Sequence, residues 1–273
     1  MPVGIEDLYQ YLKVVDVVLE VADARLPFTS RYPGLGIKFN CKKSILILNR
    51  MDLAEPQATL RWLEYYKSAG TSVLAINARS GEGIKTLHKE LSIVAKQKNE
   101  VMKQKGLRER PLRIMVLGIP NVGKSSLLNR LAGRGVARTG DRPGITRGPQ
   151  WIRLMGRMEL LDTPGVLWPN WHGREKVLFL GAIGCIPDGR LPITEIAILL
   201  GELLKERAPK NLIARYNINL DNTESDILTT IGKARGFLMS GGEVDKEKTA
   251  NAVVNDFREG KLGRFTLEYP VVS

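Results

Sequence analysis

The sequence predicts an α/β protein: a doubly wound, mostly parallel sheet followed by an all-helical domain. Short apolar runs alternate with amphipathic helical patterns through the first two-thirds of the 273 residues, as in parallel sheets covered by helices. One apolar run leads into a glycine-rich loop and then into a helix start, an order typical of doubly wound sheets. After Trp171, strong β-like runs stop and helical patterns continue.

The predicted strands are short apolar segments. The first, 14–22, is almost continuously apolar, which is typical of a strand buried on both faces. The others are expected at 44–48, 72–76, 112–117, 151–155 and 158–161, with helical patterns between them such as 57–68 and 84–97.

The second part of the chain carries helical patterns at 193–207, 212–216, 224–235 and 247–258. A chain of this length can bury two modest cores. We therefore expect a nucleotide-binding α/β domain at 1–175 and a helical domain at 176–273.

Residues 118–125 read G-I-P-N-V-G-K-S, a complete phosphate-binding loop between a predicted strand and a predicted helix. Such a loop turns backbone N–H groups toward an anion at a helix N-terminus. Lys124 is expected on the β- and γ-phosphates, and Ser125 on Mg²⁺. The predicted nucleotide contacts of this segment are Asn121, Val122, Gly123, Lys124, Ser125 and Ser126.

Two later segments complete the phosphate site. Asp162 begins the motif D-T-P-G after a predicted strand, where its carboxylate can hold the Mg²⁺ hydration shell. Gly165 ends that motif, and its amide can sense the γ-phosphate. Thr146, in the turn-rich run R-P-G-I-T, can supply a second hydroxyl to Mg²⁺.

A base-reading motif follows the second predicted strand and consists of Asn49, Arg50, Met51 and Asp52. A carboxylate at Asp52 can accept from both N1–H and N2–H of guanine, a donor pair that adenine lacks; this disfavours an ATP-dependent kinase. After the next strand, Asn77 and Ala78 can offer a backbone amide to the guanine O6. The alternative for Asp52 is an ordinary helix N-cap.

The base-reading motif precedes the phosphate loop, whereas in ordinary small GTPases it follows, so the order indicates a circularly permuted P-loop GTPase. The segments V-A-D-A-R-L-P (21–27), N-R-M-D, G-I-P-N-V-G-K-S-S, G-D-R-P-G-I-T-R-G and L-L-D-T-P-G-V-L-W-P closely resemble the YlqF/RbgA family of bacterial ribosome-assembly GTPases. The tail segments K-A-R-G-F-L-M-S-G-G (233–242) and G-K-L-G-R-F-T-L-E (260–268) extend the resemblance over nearly the whole chain.

This resemblance implies a function. It implies hydrolysis of GTP to GDP with Mg²⁺, coupled to late maturation of the large ribosomal subunit, with the precursor particle bound in the GTP state and released on hydrolysis. It also implies that Asn121 coordinates K⁺ beside the phosphates, and that the helical tail binds rRNA. The candidate RNA contacts there are Lys233, Arg235, Lys261 and Arg264; a tail that only packs on the GTPase domain is the alternative.

The chain departs from the family pattern in three places. Arg50 stands where Lys is usual, and its aliphatic stem can still pack over the base. The family's catalytic histidine, in F-P-G-H-M, would precede Met1, and Val166 follows the D-T-P-G motif where a Gln often orients water. The catalytic residue is therefore unassigned and slow intrinsic turnover, raised by the particle or K⁺, is expected. The alternative is a GTP-gated rRNA-binding module with negligible hydrolysis.

The net charge of +12 favours a polyanionic partner. From residue 186 onward there are 12 basic and 13 acidic residues, so the excess lies in the first two-thirds. Residues 85–113 hold nine basic and three acidic residues on a predicted helix and linker. This segment either contacts RNA phosphates or is simply solvated.

Cys41 and Cys185 lack metal-ligand spacing and are expected as buried thiols. With no signal peptide or long apolar run, we expect a cytoplasmic monomer without a membrane partner.

Overall fold

The computed structural model describes residues 5–32, 43–133, 150–154, 157–162, 173–220 and 226–270. The chain divides into two compact units. The sheet unit comprises Met1–Pro169 and Glu268–Ser273, and the helical unit comprises Asn170–Leu267. The last residues of the chain therefore group with the sheet, although they follow the helical segment in sequence.

The sheet unit is built from alternating helices and strands, with short connections where they are described. Its elements in chain order are α1 (Ile5–Val14), β1 (Val17–Asp23), β2 (Lys43–Asn49), α2 (Pro56–Ser68), β3 (Val73–Ala75), α3 (Ile84–Gln104), β4 (Leu112–Leu117), α4 (Lys124–Ala132), β5 (Gln150–Leu154) and β6 (Met158–Asp162).

The six strands form one sheet in the order β3-β2-β1-β4-β6-β5. β1 lies at the centre and pairs in parallel with β2 on one side and β4 on the other. β3 and β6 extend the parallel part, and β5 is an antiparallel edge strand. This arrangement confirms the predicted doubly wound, mostly parallel sheet.

The first strand begins later than the sequence pattern predicted. The apolar run starting at Val14 includes the last residue of α1, and β1 begins at Val17. Between them Asp16 makes a turn: its amide donates to the Arg113 carbonyl at 2.8 Å, and its carboxylate accepts from the Arg113 amide at 2.9 Å. The polar turn separates two elements that apolarity alone had merged.

Helix α3 is longer than its predicted span of 84–97 and continues to Gln104. The extra residues contain neither Gly nor Pro, so nothing in them stops the helix. Lys98, in this extension, donates to the Pro111 carbonyl at 2.8 Å and pairs with Asp16 at 3.0 Å, which fixes the linker to the start of β1.

The helical unit contains α5 (Arg174–Ala182), α6 (Ile193–Arg207), α7 (Pro209–Tyr216), α8 (Ile227–Ala234) and α9 (Lys246–Arg258). Helix α6 packs against the other four. Gly201 allows one of these contacts, because a Cβ there would lie 2.7 Å from the Ile227 side chain. The unit thus has its own core, centred on α6.

Candidate nucleotide site

The strand order places the sequence motifs at one edge of the sheet. In open parallel sheets, ligands bind outside the carboxyl ends of the strands, at the point where the strand order reverses. β1 lies at that point, between β2, which leads into the base-reading motif, and β4, which leads into the phosphate loop. The two motifs, about 70 residues apart in sequence, therefore meet.

Two glycines let the phosphate loop lie close to its neighbours. A Cβ on Gly118 would approach the Val21 carbonyl oxygen of β1 to 2.5 Å. Gly123 has a φ of 97°, and a Cβ there would lie 2.2 Å from the Asn49 Nδ2. The fixed glycines of the motif are thus required both by backbone conformation and by contact with β1 and the base-reading motif.

The start of α4 fits a phosphate group. The helix begins at Lys124 without a side-chain cap and without an acidic residue in its first turn. Its N-terminal N–H groups and helix dipole therefore favour an anion. The Lys124 amine donates to the Ile119 carbonyl at 2.8 Å, which places the cation over the loop itself. These residues fit the phosphates of a nucleotide.

Asn49 connects the base-reading motif with the phosphate loop. Its side chain is buried, with Nδ2 donating to the Val122 carbonyl at 2.9 Å and Oδ1 accepting from the Ala78 amide at 3.0 Å. One amide group thus ties together the loops after β2, β3 and β4. The direct nucleotide contacts predicted for Asn49 and Ala78 stay predictions.

Arg50 makes a second connection. Its backbone is in the left-handed region, with φ 60°, and so is that of Asn121, with φ 62°. The guanidinium donates to the Asn121 carbonyl at 2.9 Å and lies 3.5 Å from the Asp23 carboxylate. The residue that replaces the usual Lys is thus anchored between the phosphate loop and the end of β1.

A buried ion pair beside Arg50 was not predicted from the sequence. Arg25 and Asp23 are 1% and 0% exposed and form two side-chain contacts, at 3.0 and 2.8 Å. Burial alone would raise the pKa of Asp23, but the charges of Arg25 and Arg50 and the hydrogen bonds from Arg25 outweigh it and lower that pKa. The signal was available: a buried charge requires a partner, and D-A-R places opposite charges two residues apart.

The structure decides against Asp52 as a helix N-cap. The N-cap of α2 is Glu55, and it makes no side-chain cap hydrogen bond. Asp52 is half-buried, and its carboxylate has no hydrogen-bond or ion-pair partner within the described parts of the chain. The side chain therefore keeps the acceptor atoms that guanine reading requires.

The loop after β3 is held in place from two sides. Asn77 Oδ1 accepts from the Arg79 and Ser80 amides at 2.9 and 3.1 Å. From α4, the Arg130 Nε donates to the Ala78 carbonyl at 3.2 Å, and its guanidinium also reaches the Arg79 carbonyl. The predicted base loop and the helix after the phosphate loop are therefore in direct contact.

The structure describes only some of the residues predicted to bind the metal and the γ-phosphate. Ser125 and Ser126 lie in the first turn of α4, and Asp162 is the last residue of β6, beside β4. Thr146 and Gly165 lie outside the described residues.

Of the two cysteines, Cys41 also lies outside the described residues, and Cys185 is a buried thiol, as expected. No helix in the described segments is long and apolar enough to cross a membrane.

Fold and site together define a class: a P-loop nucleotide-binding protein whose base-reading motif precedes its phosphate loop. A family model described as 50S ribosome-binding GTPase matches residues 113–183. Ribosome biogenesis GTPase A of Bacillus cereus is 41% identical over 260 residues, which cover 95% of this chain and 88% of that protein. The protein of that name from Thermotoga maritima is 34% identical, with the same coverage.

Two solved structures are similar to this chain over nearly its whole length. The GNP-bound structure of YlqF from T. maritima has a TM-score of 0.68 and 28% identity, and the match covers 97% of each chain. A GDP-bound YlqF structure has a TM-score of 0.69, also at 28% identity, over 96% of this chain and 98% of that one. The chain belongs to the ribosome biogenesis GTPase A family, which confirms the resemblance seen in the motifs.

Proposed function

We propose that this protein hydrolyses GTP to GDP during late assembly of the large ribosomal subunit, binding the precursor particle in the GTP state and leaving after hydrolysis. The observation that supports this most directly is the joining of the base-reading motif to the phosphate loop by Asn49 and Arg50. Family membership supports the biological setting.

In this proposal each motif has one task. Asp52 reads guanine, the phosphate loop and Lys124 hold the phosphates, and Ser125, Thr146 and Asp162 hold Mg²⁺. When bound, Mg²⁺ neutralises charge on the phosphate oxygens. The Gly165 amide distinguishes GTP from GDP by contact with the γ-phosphate. Water then attacks the γ-phosphorus and the bond to the β,γ-bridging oxygen breaks.

The proposal includes slow intrinsic turnover. Val166 has no polar atom on its side chain with which to orient water. Asn121 lies in a turn of the phosphate loop in a left-handed conformation, with φ 62°. We propose that K⁺ binds beside this residue and stabilises the charge that develops on the phosphates, as a fixed cation does in other phosphoryl transfers.

The helical unit is the proposed rRNA-binding domain, with the 1–175 segment as the GTPase domain. Lys233, Arg235 and Arg264 are exposed, as RNA contacts require. Lys261 is a weaker candidate because it already pairs with Glu259 at 2.5 Å and lies 3.7 Å from Asp256. We propose a monomer that acts in the cytoplasm.

Phosphate release from GTP tests the proposal. The purified protein is measured alone and with immature large-subunit particles, each in K⁺ and in Na⁺. We expect particles in K⁺ to raise the rate on the order of 10²-fold, the size of effect that a positioned catalytic group supplies. Lys124→Ala, which removes the charge on the phosphates, is the inactive control. A rate that particles do not change would contradict the proposal.

A further inference from the structure

Helix α3 has two chemically different faces. Its 21 residues bury Ile84, Leu87, Leu91 and Val94. The opposite side carries four exposed lysines, namely Lys85, Lys89, Lys96 and Lys103. We call these four residues the lysine stripe.

The lysine stripe is straight and long. At about 100° per residue, the four positions fall within about 40° of one another around the helix axis. At about 1.5 Å per residue, the stripe is about 27 Å long, with intervals of about 6, 10.5 and 10.5 Å. A single rigid helix therefore presents four ammonium groups in a line.

The fold does not use these charges. None of the four has a hydrogen-bond or ion-pair partner through its side chain among the described residues, whereas Lys98, on another side of the same helix, pairs with Asp16 at 3.0 Å. Lys85 and Lys89 are four residues apart, where like charges destabilise a helix. The acidic residues of α3 are Glu90 and Glu100, of which Glu100 flanks the stripe.

We propose that the lysine stripe docks this protein on the phosphate backbone of double-stranded RNA in the ribosomal particle; the proposal rests on the function proposed above. Charge complementarity identifies a polyanion as the partner. The helix contains no Phe, Tyr or Trp, the residues on which single-stranded bases stack. A straight row of cations without stacking groups matches a rigid duplex, which proteins read through its backbone.

The test replaces the whole stripe: Lys85→Gln, Lys89→Gln, Lys96→Gln and Lys103→Gln in one variant. Gln removes the charge and keeps a similar helix propensity. The matched control variant changes four exposed cations elsewhere in the sheet unit to Gln: Lys13, Lys43, Arg61 and Lys67. Both variants carry the same net charge, so only its location differs.

Binding of the full chain to a fully paired RNA duplex, and to immature large-subunit particles, is measured over a range of KCl concentrations. We expect the stripe variant to bind both at least about 10-fold more weakly, and its slope of log affinity against log salt to be smaller by up to about 3.6, or about 0.9 per lost phosphate contact. The control variant should resemble the unchanged protein.

Equal binding by the two variants would overturn the proposal. So would a stripe variant that loses affinity for particles but not for the duplex, because the partner of the stripe would then be a ribosomal protein. Intrinsic GTP hydrolysis is measured in parallel and should be unchanged in both variants. If particles fail to stimulate hydrolysis by the unchanged protein, the proposed function fails, while duplex affinity still decides the role of the stripe.

Discussion

At the scale of single residues, Asn49 and Asp52 belong to one motif but have different structural tasks. Asn49 is 2% exposed and bonds to both the phosphate loop and the loop after β3. The half-buried Asp52 makes no such bonds among the described residues. The first residue therefore maintains the shape of the site, whereas the second keeps a carboxylate free for the base recognition proposed above.

Substitutions should separate these tasks. We expect Asp52→Asn to weaken GTP binding and to favour xanthosine triphosphate, because the change replaces an acceptor with a donor opposite the base. A good bidentate contact contributes about 1–3 kcal/mol of discrimination.

Asn49→Ala should instead weaken binding of GTP and of xanthosine triphosphate equally, so that the ratio of their affinities does not change. Competition binding with GTP, xanthosine triphosphate and ATP measures this; equal affinity of the unchanged protein for GTP and ATP would contradict guanine reading.

The sequence predicted residues whose motif is local and missed those whose partners are distant. The phosphate loop is a contiguous pattern, so Gly123 and Lys124 could be assigned directly. The contacts of Arg50 with Asp23 and Asn121 join three different strand ends. They depend on the strand order, which motif spacing does not contain.

At the scale of elements, the segment that follows the helical unit is bonded into the sheet unit. The Glu268 carboxylate accepts from the Thr29 amide at 2.8 Å and the Thr29 hydroxyl at 2.7 Å, and also from the Phe28 amide. The Trp62 indole donates to the Glu268 carbonyl at 3.0 Å. Glu268 thus connects the loop after β1 with α2.

Glu268→Ala should therefore destabilise the sheet unit, although the residue lies more than 200 positions from β1 in sequence. Leaving the amide and hydroxyl of the buried Thr29 without this acceptor costs about 1–3 kcal/mol. Hydrogen exchange of the β1 and α2 amides measures the change. Glu64→Ala, which removes an exposed carboxylate from α2, is the control. Equal exchange in the two variants would show that the Glu268 contacts do not stabilise the unit.

Helices were likewise predicted only where the signals in the local sequence are clear. Helix α6 was predicted to the residue, because its apolar periodicity and flanking Pro192 are local signals. Helices α1 and α5 were not predicted. In α1 the apolar positions continue into β1, and in α5 the sequence R-E-K-V-L-F-L-G-A lacks a clear one-sided pattern.

At the scale of the whole molecule, charge is distributed unevenly. The sheet unit contains 27 basic and 16 acidic residues, and the helical unit 14 and 13. Electrostatic attraction to a polyanion is therefore concentrated in the sheet unit, where the lysine stripe lies. The nearly neutral helical unit must gain any specificity from the positions of individual groups.

Both units also contain carboxylates that must stay ionised. Burial alone would raise the pKa of Asp256, but hydrogen bonds from Arg215, at 2.8 and 2.9 Å, and from Tyr216, at 3.1 Å, lower it. In the sheet unit, the pKa of Asp23 is likewise lowered, because the charges of Arg25 and Arg50 and the hydrogen bonds from Arg25 outweigh the effect of burial. A carboxylate whose pKa is lower in the folded state contributes stability above its unfolded pKa, about 3.9 for Asp. This contribution is lost as the pH falls through the folded-state pKa.

We therefore expect the stability of both units to be nearly constant from pH 7 to about pH 5 and to fall below about pH 4. Asp256→Asn should lower the stability of the helical unit at pH 7 by about 1–3 kcal/mol, because Arg215 and Tyr216 lose an ionised acceptor. The same change should reduce the acid sensitivity of that unit and leave the sheet unit unaffected. Hydrogen exchange in α9 and β1 at each pH separates the units, with Glu202→Gln as an exposed control. If Asp256→Asn keeps the full acid sensitivity of α9, other carboxylates carry it.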